Sequence, residues 1–218
     1  MTDKISEPLI FQLYQQRYGT GRCAFHVLPP SSGSAGGCEK NPGDFFGSGE
    51  STGSVGVVTI NMPRIAYLAS DEQDFYRRLD HMMDIGARSL KIKRGIITKL
   101  LNEGLYPYTK RYLGTFENHF STIGLVGMNE AGLNAKWLRA DLTHPETQKF
   151  TKEVLIHMRE RLADYQEMYG DLYNLEATPA ESTTYRLAKH DRKRWPDIIT
   201  AGKPGDTPFY TNSSHLPV

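Results

Sequence analysis

At 218 residues the chain is long enough to bury a full core, as one large domain or two small ones. Hydrophobic residues at 39% and charged residues at 23% are ordinary for a globular protein, and 26 basic against 25 acidic residues leave a formal charge of +1, so nothing electrostatic favours gripping a nucleic-acid backbone. No apolar run approaches the roughly 18 residues of a membrane-spanning helix, the N-terminus lacks the apolar core of a signal peptide, and two cysteines are too few for a disulfide framework or a four-cysteine zinc site, so a soluble, cytoplasmic protein without membrane contact is expected.

Residues 1–22 are polar and weakly patterned, with Ile10, Phe11, Leu13 and Tyr14 on one side of a short expected helix. Cys23 leads into a short extended segment that Pro29 and Pro30 stop. From Ser31 to Gly53 the chain is rich in Gly, Ser and Pro, and a loop of that length inside a domain is usually functional or disordered. Val55, Val57, Val58 and Ile60 then form a β-branched run that reads as a strand buried on both faces. Small polar residues, Thr52 to Ser54, enter this strand and Asn61 leaves it.

The clearest helix follows. Ser70 and Gln73 suggest a capping box, Phe75, Leu79, Met82, Met83, Leu90, Ile97 and Leu101 recur at helical spacing, and Gly104 offers a stop. Tyr106 to Tyr112 reads as an aromatic, basic connector. Ser121 to Gly127 repeats the short apolar strand, with Met128, Asn129 and Glu130 at its carboxyl end. Thr143 and Glu146 suggest a second capping box, opening a helix with Phe150, Val154, Leu155, Met158 and Leu162 on one face and a stop near Gly170. Leu172 to Leu175 is a third short strand, and the segment from Glu176 to Thr184 leads into another helix. Strands alternating with helices predict an α/β architecture.

Few side chains carry a chemical signal of their own. The segment of small hydroxyl residues from Thr178 to Thr184 opens a helix, and unpaired backbone N–H groups beside Ser and Thr hydroxyls favour an anion such as phosphate. Plain N-capping by Ser182 or Thr183 explains the same residues. A lone cysteine such as Cys23 is more often an inert small hydrophobe than a reactive group, and Cys38 sits in the glycine-rich loop. Glu176 and Glu181 are acid/base candidates or ordinary surface carboxylates, and Asn129 with Glu130 either faces a site or starts a helix. Seven histidines show no metal-ligand spacing, so no metal is assigned.

Four longer stretches are more specific: GSVGVVTINMPRIAYLA, NHFSTIGLVGMNEAGLN, LYNLEATPAESTTYRLA and YTNSSHLPV. In this order they resemble the anaerobic, glycyl-radical (class III) ribonucleoside-triphosphate reductases, over residues 45–218. The resemblance implies part of a ten-stranded α/β barrel, with residues 1–44 as a finger-loop-like segment and 45–218 as a partial catalytic barrel domain. It also implies radical reduction of ribonucleotides to deoxyribonucleotides, in which a cysteine at a loop tip becomes a thiyl radical. Cys23 is the position that resembles the radical cysteine, and Cys38 is the second candidate. Ser54 falls where formate-using members have asparagine, which resembles the subgroup reduced by a thioredoxin-like protein, with Glu176 or Glu181 assisting proton transfer.

The same resemblance places Thr178, Ala180, Ser182, Thr183 and Thr184 at the substrate phosphates, with Asn129, Asn212 and Ser213 near the same site. The family's glycyl-radical segment and its zinc site follow the YTNSSHLPV motif, and so are expected outside these residues. A complementary reductase chain would supply the radical glycine, made by a partner activase that uses S-adenosylmethionine and a 4Fe–4S cluster. The chain is then expected to be inactive alone, and to join a homodimer when assembled. The alternative expectation is a non-catalytic remnant or phosphate-binding module of the same fold.

Overall fold

A computed structural model of the chain describes residues 26–27, 53–203 and 205–213. Four strands, β1 (His26–Val27), β2 (Gly53–Asn61), β3 (His119–Val126) and β4 (Tyr173–Ala177), make one sheet in the order β1-β4-β3-β2. β2, β3 and β4 are parallel, so their carboxyl ends lie on the same side, and β1 runs antiparallel on β4 with His26 opposite Glu176. The expected α/β class is present. Among the described residues the sheet has four strands, a mixed parallel portion and not a closed barrel of ten.

Helix α1 (Met62–Leu68) follows β2 directly, with the Asn61 side chain as its N-cap and Pro63 in the first turn. α2 (Glu72–Asn102) is 31 residues long, and Gly104 at φ 84° supplies the left-handed stop that the sequence suggested. Its N-cap is Asp71, whose carboxylate accepts from Asp74 N at 2.9 Å, while Ser70 N donates back to Asp74. The reciprocal cap therefore sits one residue later than the expected Ser70–Gln73 box. The connector 106–112 contains a short helix, α3 (Pro107–Tyr112). After β3 come α4 (Met128–Asn134) and α5 (Pro145–Tyr169), the latter ended by Gly170 at φ 69°. α5 starts at His144 with no side-chain cap, because Thr143 Oγ1 is committed to Asp141; the second expected box is absent. α6 (Glu181–Arg194) closes the described elements.

One face of the sheet is covered by α2 and α5. Val58 and Ile123 meet α2 at Gly86, where a Cβ would stand 3.4 Å from Val58. Ile123, Leu125, Tyr173 and Leu175 join Phe75, Leu79, Met83, Leu90, Phe150, Val154, Met158 and Leu162 in one core. The two helical faces read from the sequence supply that core, although Met82 is 42% exposed. β3 is buried on both faces. β2, expected to be equally buried, is an edge strand among the described residues, and its Val57 is 47% exposed.

Candidate functional site at the carboxyl end of the sheet

Side chains alternate across a strand, so the residues between the core positions point away from α2 and α5. In register these are Val57, Thr122 and Asn174 in one row and Thr59, Gly124 and Glu176 in the next, with Thr178 just beyond β4. A register shift between Ser54 and Gly56 turns Ser54 onto this face, where its hydroxyl lies 3.0 Å from Thr122 Oγ1. The sheet thus separates an apolar face packed on helices from a face carrying hydroxyls, an amide and the Glu176 carboxylate. Ser54, Glu176 and Thr178, named from the sequence, share that second face. Thr122, Gly124 and Asn174 were missed; each lies inside a recognised strand, and only the strand register shows which face it joins.

Gly124 matters through what it lacks. A Cβ there would stand 1.9 Å from Thr178 Oγ1, so the missing side chain lets Thr178 fold over β3. Thr178 N donates to Leu125 O at 3.3 Å, fixing the loop to the strand end. Thr178 is 8% exposed, and its hydroxyl has no hydrogen-bond partner among the described residues.

From there the chain turns through Ala180, at φ 25°, into α6. Ala180 is the N-cap position and no side chain caps the helix, so neither Ser182 nor Thr183 performs the capping that was one reading of them. Glu181 and Ser182 are exposed in the first turn, Thr183 is half-buried, and Thr184 is buried with its hydroxyl donating to Glu181 O at 2.8 Å. The positive end of α6 and the Thr178 hydroxyl therefore lie together at the carboxyl end of β4, a setting suited to an anion.

A second cluster occupies the ends of β2 and β3. Asp191 is buried, accepting from Asn61 Nδ2 at 2.8 Å, Arg64 Nε at 2.7 Å and Tyr210 OH at 2.8 Å. α6 thus reaches from the end of β4 to the end of β2. Asn129 Oδ1 accepts from Leu142 N at 3.1 Å, while its Nδ2 donates to Glu130. Glu130 is 1% exposed and takes both the N–H and the hydroxyl of Thr211, at 2.8 and 2.9 Å. Burial pushes its carboxyl above the usual carboxylate range. Asn212 is buried and Ser213 half-buried, directly after Thr211. Sequence reading named Asn129 with Glu130, Asn212 and Ser213, and noted Asn61 at the strand end, but missed Arg64, Asp191 and Thr211, of which Arg64 and Thr211 lie inside the quoted motifs. Cys23 and Cys38 lie outside the described residues; Cys23 is three positions before His26, the strand partner of Glu176. Among the described residues no group of three or more His, Cys, Asp or Glu stands together as metal ligands, and no helix is long and apolar enough to cross a membrane.

Comparison with known proteins covers nearly the whole chain. The family model described as anaerobic ribonucleoside-triphosphate reductase matches residues 11–218. The anaerobic ribonucleoside-triphosphate reductase of Haemophilus influenzae is 29% identical over 180 residues, covering 76% of this chain and 25% of that protein. The enzyme of the same name from Enterobacteria phage T4 is 26% identical over 184 residues, covering 76% of this chain and 28% of its own. The crystal structure of the anaerobic ribonucleotide reductase from Thermotoga maritima with citrate in the active site superposes with a TM-score of 0.64 at 26% identity, over 77% of this chain and 31% of that one. The chain thus spans about a quarter of the length of the curated relatives it matches.

Proposed function

Because the chain belongs to the anaerobic ribonucleoside-triphosphate reductase family, we propose that it forms part of the catalytic domain of such an enzyme, acting with complementary polypeptide to reduce ribonucleotides to deoxyribonucleotides in the cytoplasm. One observation carries the reading: Ser54, Thr122, Glu176 and Thr178 share the sheet face turned away from the helices, beside the uncapped start of α6. A triphosphate fits the start of α6, held by the Thr178 hydroxyl and the segment through Ala180, Ser182, Thr183 and Thr184. The ribose then lies over the hydroxyl-lined face, between Glu176 and the Asn212–Ser213 segment, with Asn129 behind.

The radical cysteine is Cys23 in this reading, with Cys38 as the second candidate. The family's glycyl radical, stored on residues other than these 218 and made by a radical-S-adenosylmethionine activase with a 4Fe–4S cluster, supplies the one-electron chemistry that turns a thiol into a thiyl. The cysteine sulfur takes the ribose 3′ hydrogen. Glu176, or Glu181 from the first turn of α6, handles the proton as the 2′ hydroxyl leaves as water. Ser54 in place of asparagine assigns the reducing electrons to a thioredoxin-like protein and not to formate. Two cysteines cannot build a four-cysteine zinc site, so any such site belongs to other residues. The domain division at residues 44 and 45 and the homodimeric assembly belong to the same proposal.

Anaerobic reconstitution with the complementary polypeptide, activase and reductant tests it. Deoxynucleotide formation lost in C23S and kept in C38S is the expected result. Product from the chain and activase alone would remove the need for a partner, and product from C23S would take the radical role away from Cys23.

A further inference from the structure

Two segments converge on the end of β3. Leu125 O receives Thr178 N from the hydroxyl loop, and two residues later Gly127 N donates to Thr211 O at 2.7 Å. Tyr210 is held by Asp191 and Thr211 by Glu130, so the chain arrives at Asn212 already anchored. Glu130 is buried and has no surface to offer a ligand, and its two oxygens serve three donors: Thr211 N, Thr211 Oγ1 and Asn129 Nδ2 at 3.2 Å. Asn129 cannot turn its carbonyl to Glu130 instead, because that oxygen already accepts from Leu142 N. Among the described residues, both groups of Thr211 donate to one and the same carboxylate oxygen.

We infer that Glu130 is a positioning residue, which fixes the Thr211–Ser213 segment over the end of β3 and so sets the nucleoside arm of the substrate site apart from its phosphate arm. This rests on the reductase reading above, which places the phosphates at α6 and the ribose beside Asn212. Glutamine is a sensitive probe of the role. If its single oxygen stays at Thr211, a neutral acceptor replaces the carboxylate and its N–H is set against Asn129 Nδ2; turned the other way, the N–H faces the Thr211 N–H, so in either pose the hold on Thr211 weakens. Valine at 211 is milder, deleting the hydroxyl bond and keeping the backbone one.

The experiment uses the full chain as wild type, E130Q and T211V. Hydrogen exchange follows the amides of Thr211 and Asn212, and titrations use two probes, CTP and inorganic tripolyphosphate. The expected result is faster exchange of the amide at position 211 in both variants and CTP binding weakened about tenfold in E130Q, the scale of one lost buried hydrogen bond, with tripolyphosphate binding unchanged. Should E130Q not fold, T211V carries the same comparison with a smaller loss. Unchanged exchange at Thr211 would overturn the anchoring role. Equal loss of CTP and tripolyphosphate would overturn the separation of the two arms. A wild-type chain that binds neither probe would instead overturn the phosphate-loop reading, and the exchange data would still report on the anchor.

Discussion

Gly124 and Gly95 show how one residue type serves opposite purposes. The Cβ of G124A would overlap the Thr178 hydroxyl, and because the Thr178 backbone N–H is bonded to Leu125 O the residue has little room to retreat. The expected cost is about 1–3 kcal/mol, as for overpacking elsewhere, with the hydroxyl loop displaced from the strand end. Gly95 lies exposed inside α2, and a Cβ there meets nothing within 4 Å. G95A is accordingly expected to stabilise the fold by about 0.5–1 kcal/mol, the ordinary gain of alanine over glycine in a helix. Urea unfolding of the two variants measures both signs, and triphosphate titration of G124A reads the displaced loop.

At the scale of elements, the start of β3 is tied to α2 by one arginine. Arg94, buried in the middle of that helix, donates to Phe116 O at 2.9 Å, His119 O at 2.5 Å and Ser121 Oγ at 3.2 Å. His119 lies beside it at the first position of β3, buried, with its Nδ1 unpartnered among the described residues. Burial, with the Arg94 charge behind it, lowers the His119 pKa below the ordinary 6.5. The unfolded chain therefore binds more protons than the folded one between the depressed folded value and 6.5. Stability from this group is present above 6.5 and is lost as pH falls through the folded pKa. Chemical unfolding of wild type and H119Q across that window measures it. H119Q is expected to show the flatter dependence, and parallel curves would remove His119 as the cause.

The whole molecule leaves one flank uncovered among the described residues. β2 is unpaired on its outer side, and Ile85, Ile92 and Ile96 of α2 are 47%, 59% and 54% exposed. α2 faces β2 through Gly86 and Lys93, and turns Asp80, Asp84 and Lys91 toward α5 and the residues that follow it. Helical spacing sets the three isoleucines away from α5, on the flank of the open strand. An open strand edge beside an apolar stripe favours association. The double variant I92E/I96E is expected to reduce self-association of the isolated chain in sedimentation velocity, with stability changed by no more than about 0.5 kcal/mol, as for surface positions generally. Undiminished self-association would place the sticky surface elsewhere.

Much of this fold was legible along the chain. The β-branched run of β2, the glycine-bounded β3 and the two long helices follow from local periodicity, and Gly104 and Gly170 stop their helices because left-handed backbone favours glycine. Local pattern also found the hydroxyl segment at α6, and the family resemblance rests on motifs contiguous in sequence. Local reading failed where neighbours compete for one group: the cap of α2 moved from Ser70 to Asp71, and Thr143 was drawn off to Asp141. Exposure of β2 was likewise hidden, since a run of valines does not record which strands lie beside it. Tertiary structure alone decided the face shared by Ser54, Thr122, Gly124 and Thr178, the gathering of Asn61, Arg64 and Tyr210 on Asp191, and the pairing of Glu130 with Thr211. Those partners are separated by 19 residues between Asp191 and Tyr210 and by up to 130 between Asn61 and Asp191, and no local periodicity encodes a contact that only the packing of strand ends against α6 brings into being.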